Sequence, residues 1–145
     1  MRIKWAGIFV NDQERAARFY TEVLGFEIKA DEPAGDFRWL TVGEPGEPGE
    51  PGATGTGVEL LLEPDAHPAA QAYMAAIKAD GIPATQFAVA DVAAEVERLR
   101  GLGVEIVREP TTMGPLTFAV IDDTCGNLIQ LINQGEPGEP GDPTA

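Results

Sequence analysis

The chain has one cysteine and one histidine in 145 residues, and its 10 Lys and Arg are outnumbered by 24 Asp and Glu. A single cysteine, Cys125, cannot close an intrachain disulfide, so nothing calls for an oxidising compartment. No Cys-X-X-Cys occurs, and no glycine-rich phosphate loop follows a strand. A formal charge of −14 repels phosphate backbones and anionic lipid, which argues against nucleic-acid and membrane partners. Long apolar runs are also missing. The stretch "MRIKWAGIFVND" is too short for a signal peptide or a membrane span and is cut off by Asn11 and Asp12. The expectation is a soluble, cytoplasmic protein, and the length suits one domain with a core of its own.

Part of the acidity sits in two unusual segments, "GEPGEPGEPGATGTG" from Gly43 and "GEPGEPGDPTA" from Gly135. Their Gly-X-Y period is that of collagen, but a few triplets cannot wind a triple helix. Glycine and proline oppose both helix and ladder while glutamate stays solvated. The reading is a mobile loop at 43–57 and a disordered tail at 135–145.

What remains contains a duplication. "FVNDQERAARFYTEVLGFEI" from Phe9 and "AVADVAAEVERLRGLGVEIV" from Ala88 each run from a β-type stretch into Val-X-Asp, a helix, and Leu-Gly. Asp12 and Asp91 are placed to cap the helices, and Gly25 and Gly103 to end them in a left-handed turn. Ala16, Phe19, Tyr20 and Val23 recur at helical spacing in the first copy, and Val92, Val96, Leu99 and Leu102 in the second. Strands are expected at Phe26–Ala30, Phe37–Val42 and Val58–Glu63, then at Val104–Arg108, Leu116–Ile121 and Asn127–Asn133.

The fold is therefore α+β, with two tandem βαβββ modules at about 1–64 and 81–134 and a connecting helix at about 65–80. One such module is too one-sided to bury its sheet alone. Two should form a curved, half-open barrel, a single domain over 1–134 with a concave pocket.

Tandem βαβββ modules, "VND" and "FYTEVLGF" in the first and "DDTCGNLIQL" in the second, resemble the vicinal oxygen chelate superfamily of glyoxalase I, extradiol dioxygenases and bleomycin- or fosfomycin-resistance proteins. The resemblance spans nearly the whole chain outside the Gly-Glu-Pro segments. It is specific for the fold; the motifs are caps and turns shared by members of very different chemistry. It also implies inward metal ligands on the first and last strand of each module. Aligned on Asp12 and Asp91, those positions are Trp5, Glu59, Ala84 and Gln130. Tryptophan and alanine cannot donate, glutamine is a weak neutral donor, and only Glu59 is a good ligand, so no metal or other cofactor is expected and a divalent metal is disfavoured. The one histidine, His67, reads as a polar residue near a helix start.

Gln130 is then either a hydrogen-bonding group in an organic-ligand pocket, within reach of Glu59 on this alignment, or a partner that satisfies Glu59 and stiffens the barrel. Trp5 supplies a flat apolar wall or else packs in the core. Gln86 shares the face of Ala84, Met113 sits in a loop at the end of the seventh strand, and Phe37 and Trp39 share a face opposite Arg38. Negative charge from Asp122 and Asp123 makes Cys125 a poor nucleophile.

Three functions fit. The first is a metal-free homodimer binding a small, partly aromatic molecule through Trp5, Glu59, Gln86, Met113 and Gln130; the acidic surface would suit a cation. The second is a lyase, isomerase or dioxygenase of glyoxalase type, with Glu59, raised in pKa by an apolar cleft, as catalytic base or metal ligand. The third is an interaction module with the Gly-Glu-Pro segments as spacers.

Overall fold

The computed structural model describes residues 1–46 and 57–133. Most of the loop expected to be mobile and all of the tail expected to be disordered lie outside the described residues. The chain divides into two compact units, Met1–Ala76 with Thr124–Gly126, and Ile77–Asp123 with Asn127–Ala145.

The first unit holds β1 (Trp5–Val10), α1 (Gln13–Arg18) running into a π turn (Phe19–Val23), β2 (Glu27–Ala34), β3 (Phe37–Gly43) and β4 (Glu59–Pro64). Its sheet has the order β1-β4-β3-β2, with β1 parallel to β4 and the other neighbours antiparallel. α2 (Pro68–Ala79) leads to β5 (Thr85–Ala88), α3 (Val92–Gly101), β6 (Ile106–Met113), β7 (Leu116–Asp122) and β8 (Leu128–Asn133). The order there is β5-β8-β7-β6, the same βαβββ plan.

The capping residues behave as their chemistry requires. Asp12 Oδ1 accepts from Arg15 N–H at 2.9 Å and Asp91 Oδ1 from Ala94 N–H at 3.0 Å. Gly25 and Gly103 follow the helices at φ +86° and +83°, a conformation costly to any residue with a Cβ.

The helices themselves differ. Leu24 comes twelve positions after Asp12, but Leu102 only eleven after Asp91. The extra residue is taken up in the π turn, where Leu24 N–H donates to Phe19 O, five residues back. Thr21 Oγ1, donating to Ala17 O at 2.7 Å, lies within the same widened turn. Phe19 and Tyr20 are buried as expected, whereas Val23 is only half-buried.

Two strands run past their expected ends, β2 through Pro33 to Ala34 and β6 through Pro110 to Met113. Both are edge strands, where a missing N–H breaks no rung. Each then turns back through two residues led by a glycine of positive φ, Gly35 or Gly114. Met113 is therefore the last residue of β6, opposite Leu116, and not part of a loop after the seventh strand.

One face of each sheet is packed by its helix. Ile8, Val10, Leu40, Val42 and Leu62 are buried with Ala16, Phe19 and Tyr20 in the first unit, and Val92, Val96 and Ala119 cluster in the second. Each such aliphatic burial stabilises by about 1.5–3 kcal/mol. The alternate residues of those strands stand on the other face.

Candidate functional site

In the first unit that other face carries aromatics. Trp5, Phe37 and Trp39 are 50%, 45% and 40% exposed, while Ile8, Leu40 and Val42 on the packed face are 7% or less. Trp5 therefore does not pack into the core of its unit. It meets Trp39 edge to face, with ring centroids 5.8 Å apart at 78°. β1 and β4 pair so that Trp5 lies beside Glu59, the position expected for the fourth-strand carboxylate.

Glu59 has partners for both oxygens. Thr41 Oγ1, on a fully buried residue, donates to Oε1 at 2.7 Å, and Lys4 Nζ lies 2.6 Å from Oε2. The lysine holds the Glu59 carboxyl below the usual glutamate range, with burial opposing it and Thr41 and Lys29 assisting. This overturns the expectation of a raised pKa in an apolar cleft: the surroundings of Glu59 are not apolar, because Lys4 and Thr41 accompany it. A carboxylate ionised this firmly is a poor proton acceptor at neutral pH. Gly7, next on the same face as Trp5, leaves room for another carboxylate; a Cβ there would meet Glu63 Oε2 at 2.5 Å.

In the second unit Gln130 of β8 pairs in register with Gln86 of β5. Gln130 Nε2 donates to Gln86 Oε1 at 3.5 Å, a long bond that leaves both amides hydrogen-bonding capacity. On the same face of β7 stands Phe118, with the Arg108 guanidinium 5.1 Å from its ring centre. Met113 is 65% exposed at the hairpin tip. Its partner Leu116 is four residues along β7 from Val120, which faces Gln130, about 13 Å at a strand's rise.

The structure thus brings together Trp5 with Glu59 and Gln86 with Gln130, and leaves Met113 apart. Lys4, Thr41, Glu63, Phe118 and Arg108 were not anticipated. Thr41 carried a signal, a polar residue alternating with Leu40 and Val42 at the centre of a strand.

His67 serves the start of α2: its carbonyl accepts from Ala70 N–H and Gln71 N–H, and its Nδ1 accepts from Ala69 N–H at 3.0 Å. Cys125 is buried, and its carbonyl accepts from Asn11 N–H. Among the described residues no three His, Cys, Asp or Glu side chains are grouped to hold a metal ion. The residues at the expected ligand positions do not fit a transition metal: the indole of Trp5 and the methyl group of Ala84 cannot donate, both oxygens of Glu59 are engaged, and Gln130 offers one neutral amide. Among the described residues no helix is long and apolar enough to cross a membrane.

Residues 2–131 match the model of the glyoxalase/bleomycin resistance protein/dioxygenase superfamily. The chain belongs to that superfamily. Within it, the chain is 50% identical over 134 residues to the uncharacterized protein YurT of Bacillus subtilis (strain 168), an alignment spanning 92% of this chain and all of that one. Its fold is similar to the crystal structure of UcmS2, with a TM-score of 0.73, 35% identity, and coverage of 91% of this chain and 97% of that one. It is also similar to TnmS3, an antibiotic binding protein from Streptomyces sp. CB03234, with a TM-score of 0.69, 26% identity, and coverage of 93% and 97%.

Proposed function

We propose that this superfamily member binds a small, partly aromatic organic molecule, and that its two modules belong to one domain. The observation that carries the reading is the half-exposed Trp5–Trp39 pair beside an ionised Glu59, with Trp5 and Glu59 at positions where the resemblance implies metal ligands. Indole faces offer large contact area at little entropic cost, and the carboxylate fixes polarity and orientation. Gln86 and Gln130 add donors and acceptors, and Met113 an adaptable apolar contact. The antibiotic-binding neighbour TnmS3 supports the same reading. On this reading the chain acts as a homodimer in the cytoplasm, and its acidity argues against nucleic-acid and membrane partners.

Both tryptophans of the chain lie on this face, so intrinsic fluorescence reports on it directly. Titration with cationic, neutral and anionic aromatic compounds, antibiotics among them, should find saturable quenching by at least one. Trp39→Ala should weaken that binding about tenfold, the equivalent of ~1.4 kcal/mol. Failure of a broad panel to quench, or equal binding by Trp39→Ala, would refute the reading.

A further inference from the structure

β3 and β4 are paired only at Thr41–Leu61 and Val42–Leu60. Toward Phe37, β3 continues against β2 alone, through Trp39–Glu32 and Phe37–Ala34. Successive residues of a strand turn their N–H and C=O to opposite neighbours. The backbone of Arg38 and the carbonyl of Leu62 therefore face a gap where the ladder has stopped, and half-buried backbone groups need partners.

One side chain supplies all of them. Gln13 Nε2 donates to Arg38 O at 2.8 Å and to Leu62 O at 2.9 Å, and Gln13 Oε1 accepts from Arg38 N–H at 3.0 Å. A carboxamide has the two donors and the acceptor this requires, so it stands where a peptide group of β4 would. The next residue, Glu14, holds the Arg38 guanidinium at 2.6 Å, and Asp31 of β2 holds its other side at 2.6 Å. Residue 38 is thus fixed through backbone and side chain, and Trp39 follows it directly on the opposite face.

The second module shows that this clamp is no requirement of the fold. Its residue after the capping aspartate is Val92, buried in the core. There β7 and β8 pair without interruption from Thr117–Asn133 to Asp122–Leu128, leaving no gap to bridge.

We infer that Gln13 is a positioning residue for the ligand face: by replacing missing rungs between β3 and β4 it fixes the backbone beneath Trp39, and with it the angle at which that indole meets Trp5. This rests on the reading of Trp39 as a ligand contact, and the test separates the two.

In the full chain, Trp5→Phe leaves Trp39 as the only tryptophan, and Trp39→Phe leaves Trp5. Acrylamide quenching is measured in each with Gln13 and with Gln13→Met, which keeps the volume and loses the bonds, alongside the affinity for the dye 8-anilinonaphthalene-1-sulfonate. Quenching of Trp39 should rise about twofold and that of Trp5 less, while dye affinity falls about fivefold with circular dichroism unchanged. Unchanged Trp39 quenching in folded Gln13→Met, or an equal rise for both tryptophans, overturns the inference. Selective loosening of Trp39 in a chain that binds neither the dye nor any compound of the panel upholds the positioning and refutes the binding function. Should Gln13→Met not fold, Gln13→Glu is read in its place. It turns a charged oxygen toward the two carbonyls, and wild-type quenching of Trp39 in that variant overturns the inference equally.

Discussion

Glu59 shows how much one neighbour decides. On its strand it reads as a carboxylate followed by three leucines, and isolation in apolar surroundings would make it a base. Lys4, one residue before β1 begins, changes its chemistry by ion pairing at 2.6 Å. Lys4→Met should therefore raise the Glu59 pKa, read directly by carbon NMR of its carboxyl group. Because the folded pKa is depressed, the pairing adds stability that is present above the ordinary glutamate value near 4.5 and is lost as pH falls through the lower, folded value. The stability difference between wild type and Glu59→Gln should accordingly be largest at neutral pH and shrink below about pH 4.5. A difference independent of pH would mean that the Lys4 pair does not form in solution. This partnership was illegible in the sequence, since Lys4 and Glu59 are far apart along the chain and only the parallel register of β1 and β4 brings them together. The position of Glu59 beside Trp5, by contrast, followed from the family resemblance, which pairs the first-strand and fourth-strand positions.

Elements were more legible than sites because their signals are local. Capping aspartates, Leu-Gly stops and alternating strands lie within a few residues of what they control. The missed strand extensions at Pro33 and Pro110 have a non-local cause: proline is tolerated there only because β2 and β6 lie at sheet edges. The π turn was visible as a count, a step of twelve positions from cap to stop against eleven. It leads to an asymmetric prediction. Deleting the exposed Glu22 removes the extra residue and gives the first helix the spacing of α3, so the variant should fold with a loss of about 1 kcal/mol. Deleting the exposed Glu97 rotates the end of α3 by about 100° and carries the fully buried Leu99 off the core face. That variant should lose about 3 kcal/mol or more in chemical denaturation. Equal losses would show that the π turn is not where the inserted residue is absorbed.

At the scale of the whole molecule, the duplicated modules share a plan and differ in what their open faces offer. The first presents two indoles and a paired carboxylate, the second two amides and an arginine over a phenylalanine. Family membership was legible from the caps and turns of both copies, because those residues serve the fold that all members share. The ligand was not, because specificity resides in a few side chains whose partners come from other strands. The superfamily includes metal enzymes and binding proteins alike, and we propose that the donor chemistry of Trp5, Glu59, Ala84 and Gln130 separates this chain from the former.

Native mass spectrometry of the purified full chain, alone and with the aromatic panel, tests that separation most directly, since it weighs metal ions and organic ligands in one spectrum. The account predicts a chain mass without a transition metal, even after incubation with zinc, nickel or iron, together with a one-to-one organic adduct that Trp39→Ala loses. A retained stoichiometric transition metal, with no organic adduct from any compound, would contradict it.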